Sequence, residues 1–437
     1  MTAAVAVIAV LALAGPGAAA AATPAEAATA ASPPPTLVSD CLALSTPTCY
    51  TPQRFRVAYG IAPLVARGID GRGETVVLPE FAPSAPGSGV TDIRPDLALY
   101  DRLFGLPAVH LQIITRFAGA ASPGLSFSEE MGDVETVHAI APQADIKVVL
   151  IPDAVLGSGA AATAGAYAKA LRLAVGQGSV IASTAGAGED CYTAAEVAMM
   201  HSALRAAQRG HVTVVVSSGD SGAAAGPCPG ATSWTPAKGV DYPASDPLVL
   251  SVGGTRLEAS HTTGAYLGET VWNEPVPGGP TWAVASTGGF SSLFPPPAYQ
   301  AGIPATGAGR GVPDVAADAA PGTGLAISAT NGQEYAIGPA AGTSAGSPFW
   351  AGVIALADQY AGRALGFINP AIYRIGHGPA YHGAFHDVTQ GNNTVTFSPG
   401  PTITGYPASP GWDPATGWGS PDAAVLVPLL AGDGRLP

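Results

Sequence analysis

Charge is what this chain has least of. Charged residues make up 11% of its 437 positions, and lysine occurs only at 147, 169 and 238. With 18 basic against 31 acidic residues the net charge is -13, which excludes the basic surface that holds a phosphate backbone, so nucleic acid is not an expected partner. Long apolar runs are missing too. Only Ala3 to Ala14 is uninterrupted, and it is too short to cross a bilayer. Cysteine is limited to Cys41, Cys49, Cys191 and Cys228 with no C-x-x-C, which speaks against a thiolate zinc site. Histidine stands at 110, 138, 201, 211, 261, 377, 382 and 386, never in a glycine-rich His-Gly-Thr setting at a helix start. The usual sequence signal of a histidine-based serine hydrolase is therefore absent.

What is present is apolar: 47% of the residues, enough for a sizeable core. Two explanations stand for the acidic, lysine-poor composition. It suits a chain that works at low pH, where carboxylates take up protons without an excess of positive charge building up. It also follows from a GC-rich genome. Residues 1–28, an apolar run followed by small residues offering A-x-A cleavage sites, read as a secretory signal. Residues 29–39 read as an Ala/Pro-rich leader, and 40–437 as one domain without internal repeat. An exported chain with an even number of cysteines is expected to form disulfides. Three connectivities exist, and the local one, Cys41–Cys49 with Cys191–Cys228, is expected.

The domain alternates two patterns. Short β-branched runs, "ETVVLPE", "DIKVVLIP", "HVTVVVSSG" and "LVLSVGGT", read as buried strands. Between them "EEMGDVETVHAIA", "AGAYAKALRLAV" and "TAAEVAMMHSALRAAQ" read as helices. Continuous apolar strands separated by helices predict an α/β fold with a mostly parallel central sheet and helices on both faces. Sites in such folds lie at the carboxyl ends of the strands.

Three stretches carry candidate chemistry. Gly342-Thr343-Ser344-Ala345-Gly346 opens an apolar helix, with Pro348 placed in its first turn. Ser344 is there either a nucleophile beside free N–H groups or an N-cap. Glu129 and Asp133, spaced i, i+4, share one helix face and could share a proton. An acidic first turn is the common alternative. Asp220, in the Gly219-Asp220-Ser221-Gly222 turn after a buried strand, is either a turn cap or a protonated acid aimed at an oxyanion.

These stretches meet in one resemblance. Together with "FRVAYGIAPLVARGIDGRGETV", "DLALYDRLFGLP", "YPASDPLVLSVGGT", "GGFSSLFPPPAYQ", "GRGVPDVAADA", "GTSAGSPFWAGVIAL" and "GWDPATGWGSPD", in order from about Thr51 to Asp422, the chain resembles the sedolisins, or serine-carboxyl peptidases, of the kumamolisin-like kind. The resemblance implies a subtilisin-like fold, Ser344 as nucleophile, Glu129 as base, Asp133 as its orienting partner and Asp220 as the oxyanion residue. It also implies one Ca2+ held by the side chains of Asp387 and Asp413 and the carbonyls of Val388, Ser409 and Gly411. Asp241 falls on a position resembling an S1-pocket residue, where an ionised carboxylate favours a basic P1 side chain. A surface turn before Pro243 is the alternative.

The chain departs from the family in two places. Ser183-Thr184-Ala185-Gly186 lacks the aromatic ring that relatives often show there. The long prosegment of many members has no counterpart, so the chain is expected either to fold without one or to begin upstream. The expected function is that of a secreted, monomeric, acid-acting peptidase on polypeptide substrates, endopeptidase before tripeptidyl peptidase. Its optimum is expected near ~pH 3–5, where carboxyl dyads keep a shared proton. The alternatives are a neutral Ser-His-Asp hydrolase of the subtilisin type and a non-catalytic, calcium-stabilised secreted binding protein.

Overall fold

A computed structural model describes residues 36–82, 93–116, 129–275, 283–303, 309–330 and 334–432. The expected signal segment lies outside them. The apolar runs become the strands of one sheet: β1 Thr75–Ala82, β2 His110–Ile114, β3 Asp145–Pro152, β4 Val180–Ser183, β5 Thr213–Ser217, β6 Leu250–Ala259, β7 Tyr266–Val271 and β8 Val315–Asp318. Their order is β7-β6-β5-β4-β1-β3-β2, with β8 beside β6. Every pairing is parallel except that of β6 with β7.

Both faces of this sheet are covered, which is why its central strands carry apolar residues at successive positions rather than at every second one. Successive side chains go to opposite faces. Val76, Leu78, Val148, Leu150 and Val215 join one core. Val77, Val149, Ile151, Val214 and Val216 join the other. Helices α1 Glu129–Ile140 and α4 Thr343–Ala361 cover the first face, and α2 Ala160–Ala174 and α3 Ala194–Arg209 the second.

α4 is buried along most of its length. Its small residues permit this. A Cβ at Gly352 would lie 2.6 Å from Ile140 Cγ2, so only glycine lets α4 close on α1 at that point. Ser347 Oγ donates to the Val215 carbonyl at 3.2 Å and Trp350 Nε1 to the Ala316 carbonyl at 2.9 Å, which pins α4 to the sheet.

The sheet opens near the carboxyl end of β1. Pairing with β4 stops at Val77, while pairing with β3 runs on to Ala82. Pro79 lies just past the break and has no N–H to continue a ladder. Glu80 follows it, 2% exposed.

Thr36–Asp40, the end of the stretch read as leader, is a strand that pairs in parallel with Glu334–Pro339. Glu334–Pro339 in turn pairs with Gly324–Thr330. The end of that stretch is therefore part of a sheet, because an open strand edge was available to take it up. The disulfides are Cys41–Cys49 and Cys191–Cys228, as expected. No helix of the described residues is long and apolar enough to cross a membrane.

Candidate active site

α4 begins at Thr343, so Pro348 is the sixth helical residue, not part of the first turn. Proline at that point removes the N–H that would bond the carbonyl of Ser344, four residues back. The N-cap is Gly342, at φ 79°, and it supplies no side-chain cap. Ser344 is thus not a cap. It is the second residue of the helix, 3% exposed, and its own N–H lies among the four that a helix leaves without internal partners.

Asp220 supplies the missing cap from the turn after β5. Its Oδ1 accepts the Thr343 N–H at 2.8 Å and the Thr343 hydroxyl at 2.8 Å. The same hydroxyl oxygen accepts the Gly219 N–H at 3.0 Å. Any side chain at 342 would meet Asp220, since a Cβ there would lie 2.8 Å from Oδ2. Burial raises the pKa of Asp220, and the two bonds from Thr343 draw it partly back. With Oδ1 occupied as an acceptor, a proton on this carboxyl belongs on Oδ2.

α1 brings the other carboxyls to Ser344. The hydroxyls of Ser344 and Thr184 approach Glu129 and lower its pKa, but burial outweighs them, and with the Asp220 charge it lifts the group to about 7. One turn on, Asp133 is buried and shares a hydrogen bond with Glu80. Two carboxyls can do this only by sharing a proton. Both pKa values are raised well above the ordinary range, first by burial; Glu80 and Glu129 push Asp133 further up, while Glu129 and Glu130 push Glu80 up and its hydrogen bond with Asp133 draws it partly back. Glu130, also on α1, is raised to about 8 by burial. Glu129 Oε1, Asp133 Oδ2 and Glu80 Oε1 are buried and make no hydrogen bond. Within this cluster Glu129 is the group closest to ionising, because it alone receives hydroxyls.

Glu80 escaped the sequence reading. The signal was there: one acid in an otherwise apolar strand, next to a proline.

The histidine rings are engaged elsewhere. His110 meets Asp145, His138 meets Asp101 and the Pro107 carbonyl, and His201 meets Asp246. His261 stacks on Tyr50 and His386 on Tyr266, while His377 and His382 pack on Trp418 and Tyr381. His211 lies in the turn after α3, against Gly366.

Asp241 is not in a surface turn. It is 6% exposed, on the short strand Asp241–Tyr242 that pairs with Ala187–Gly188. Burial lifts its pKa to about 7, and the acidic neighbours Asp220, Glu189 and Asp190 push the same way. The ionised state expected from sequence is therefore not its state in acid.

The two loops read as a calcium site converge. Both oxygens of Asp387 accept the Gly411 N–H at 3.2 Å. Asp413 Oδ1 accepts from Ala415 N at 2.7 Å and Thr416 N at 2.9 Å, and Oδ2 accepts from Ser409 N at 3.2 Å. Two carboxylates oriented by backbone N–H groups of these loops offer oxygen donors, the kind a hard cation takes.

A mostly parallel sheet in this strand order, with a buried helix whose second residue is the serine, defines a subtilisin-like α/β protein. No protein-family model matches the chain. It is 34% identical over 398 residues to kumamolisin of Bacillus sp. (strain MN-32), a match covering 88% of this chain and 64% of that protein. It is 29% identical over 359 residues to tripeptidyl-peptidase 1 of Homo sapiens, covering 77% of this chain and 57% of that protein. Among solved structures, a Pseudomonas sedolisin (serine-carboxyl proteinase) complexed with two molecules of pseudo-iodotyrostatin superposes with a TM-score of 0.71 at 27% identity, over 89% of this chain and 99% of that one. The chain belongs to the sedolisin family. It spans less than two thirds of the length of the curated relatives named here.

Proposed function

We propose that this chain is a secreted, monomeric serine-carboxyl peptidase that hydrolyses polypeptides in acid, and an endopeptidase rather than a tripeptidyl peptidase. One observation carries the reading: the groups gathered at Ser344 are carboxyls, raised in pKa by burial, with one oxygen each on Glu129 and Asp133 that makes no hydrogen bond, where a neutral hydrolase keeps an imidazole. Membership of the family supports it. Ser344 Oγ attacks the scissile carbonyl while Glu129 takes its proton. Glu129 then passes that proton to the leaving amine. Asp133, bonded to Glu80, holds its own proton and steadies Glu129. The developing oxyanion receives the Ser344 N–H and the Oδ2 proton of Asp220. Water reverses the sequence to release the acid product.

The mechanism needs Glu129 ionised and Asp220 protonated at once. Burial raises both groups, Glu129 to about 7 and Asp220 above its ordinary value, and the working form holds one proton between them, on Asp220. A second proton switches the pair off at low pH, and loss of the remaining one switches it off at high pH. The maximum falls on the acid side of pH 7.

Endo cleavage is adopted because the longer and more similar of the two matches is to kumamolisin. Two disulfides are consistent with export to an oxidising compartment. One Ca2+ would be held by Asp387, Asp413 and the carbonyls of Val388, Ser409 and Gly411. It supplies charge neutralisation that ties the two loops together. The basic P1 preference assigned to Asp241 depends on ionising that residue, either by raising the pH or by the substrate cation itself.

Ser344→Ala tests the reading. It is expected to abolish cleavage of a denatured protein while leaving the melting curve in place. Undiminished hydrolysis by the folded variant would refute it.

A further inference from the structure

Asp241 is walled by backbone. A Cβ at Gly219 would lie 2.4 Å from Asp241 Oδ2, and one at Gly226 would lie 3.0 Å from it. Asp241 Oδ1 accepts the Gly226 N–H at 2.6 Å. The Gly226 carbonyl accepts the Gly188 N–H at 3.2 Å, and Gly188 stands opposite Asp241 in the strand pair. Gly226 therefore touches both the acid and the strand that faces it. The two segments that make this contact run within three residues into Cys191 and Cys228, which are bonded to each other.

The walls are fastened on the other side as well. Glu189, next to Gly188, accepts the Ser291 hydroxyl at 2.5 Å and the Ser292 N–H and hydroxyl at 2.7 Å each. After burial, the groups that raise Asp241 are the acids Asp220, Glu189 and Asp190, with the Tyr192 ring beside them. Acidic surroundings of this kind favour a cation from outside.

We propose that the Cys191–Cys228 disulfide determines specificity: it holds Gly226 against Asp241, fixes the carboxyl in one orientation, and so sets the preference for a basic P1 side chain. The proposal rests on the reading of Asp241 as the P1-binding residue. Gly188 and Gly226 bring no side chains of their own to lock together, so the covalent link between their segments does that. Loosening it leaves the carboxyl free to turn and weakens a directional contact with a guanidinium, while an apolar P1 side chain loses little.

The experiment uses two peptides that differ only in P1, arginine or leucine. It compares the full-length wild type, Asp241→Asn, Cys191→Ala/Cys228→Ala and, as a control, Cys41→Ala/Cys49→Ala. The Cys191/Cys228 variant is expected to lower the Arg/Leu ratio of kcat/KM about tenfold, through KM for the arginine peptide, with the leucine peptide changed less than about threefold. The Cys41/Cys49 variant is expected to keep the wild-type ratio. Should the first cysteine variant not fold, phosphine reduction of the folded Cys41/Cys49 variant gives the same comparison, with reduction verified by mass. An equal loss on both peptides, or an unchanged ratio beside a collapsed one in Asp241→Asn, would overturn the clamp alone. An unchanged ratio in Asp241→Asn would overturn the P1 reading and the clamp with it.

Discussion

Asp314 and Asp133 are both sealed in the interior, yet their surroundings differ in kind. Asp314 stands at the amino end of β8 and is fully answered. Its Oδ1 accepts Tyr373 Oη at 2.8 Å and Arg310 Nη1 at 3.2 Å. Its Oδ2 accepts Arg310 Nη2 at 2.8 Å, the Ser251 N–H at 2.8 Å and Asn369 Nδ2 at 3.2 Å. Asp133 has no cation beside it. It faces Glu80, Glu129 and Glu130, and one of its oxygens is unbonded. The first arrangement satisfies every lone pair and serves the fold. The second leaves acids facing acids, which costs stability and yields carboxyls that exchange protons near physiological pH. Burial is the same in both places; only the partners differ.

The largest expected effect breaks this contrast at its catalytic side. Glu129→Gln should lower kcat/KM by about 10²–10⁴-fold, the worth of a positioned base. Thermal stability should hold or rise, since a buried acid is removed. Steady-state kinetics and a melting curve on one preparation check both. A fall in stability with activity retained would reverse the assignment of the two regions.

On the structural side, Arg310→Met should destabilise the fold by about 3–5 kcal/mol, because Asp314 is left charged, buried and unpaired. Denaturant unfolding measures it. The pH dependence of kcat/KM in the fraction that remains folded should not move.

The third effect uses pH against the whole set of raised acids. Burial lifts Glu129, Asp318 and Asp358 to about 7 and Glu130 and Glu135 to about 8. A raised folded-state value means the native state binds more protons than the unfolded chain between the ordinary carboxyl range and those values. The stability they give is present in full below the ordinary range and is lost as pH rises through 7 to 8. His201, raised by its bond to Asp246, acts with the same sign. Melting temperatures of Ser344→Ala, which cannot digest itself, should therefore fall as pH rises from about 4 to about 8. A rise over that range would contradict the burial argument.

The smallest effect concerns Asp387 and Asp413. Chelation should lower stability by about 1–3 kcal/mol at saturating calcium, and restored calcium should recover it. The gain should shrink in acid, as protons compete for the two carboxylates. Asp387→Asn should lose the response.

The parts of this design differ in how openly the sequence shows them. β1, β3, β5 and β6 and the three helices named from their patterns were legible, because a sheet covered on both faces writes continuous apolar runs. Ser344, Glu129, Asp133 and Asp220 were legible as candidates, each with a plain alternative that residue types alone do not remove. The structure removes one alternative directly, since Gly342, not Ser344, takes the N-cap. Glu80 was hidden because its meaning depends on Asp133, which is distant in sequence and arrives by the crossover through α1. Thr343 was hidden for the same reason: its hydroxyl links Gly219 to Asp220 only once β5 and α4 are side by side. The start of α4 was misplaced because proline marks a first turn by habit, and here it sits in the second. The strand Thr36–Asp40 was missed because its stability comes from a partner three hundred residues away, not from its own pattern.

The most direct test of the central claim is digestion of a denatured protein from about pH 3 to about pH 8, wild type beside Glu129→Ala, with the products read by mass. The account predicts internal fragments from the wild type, most abundant on the acid side of pH 7, and next to none from the variant. Equal product from Glu129→Ala, or a maximum above neutrality, would contradict it.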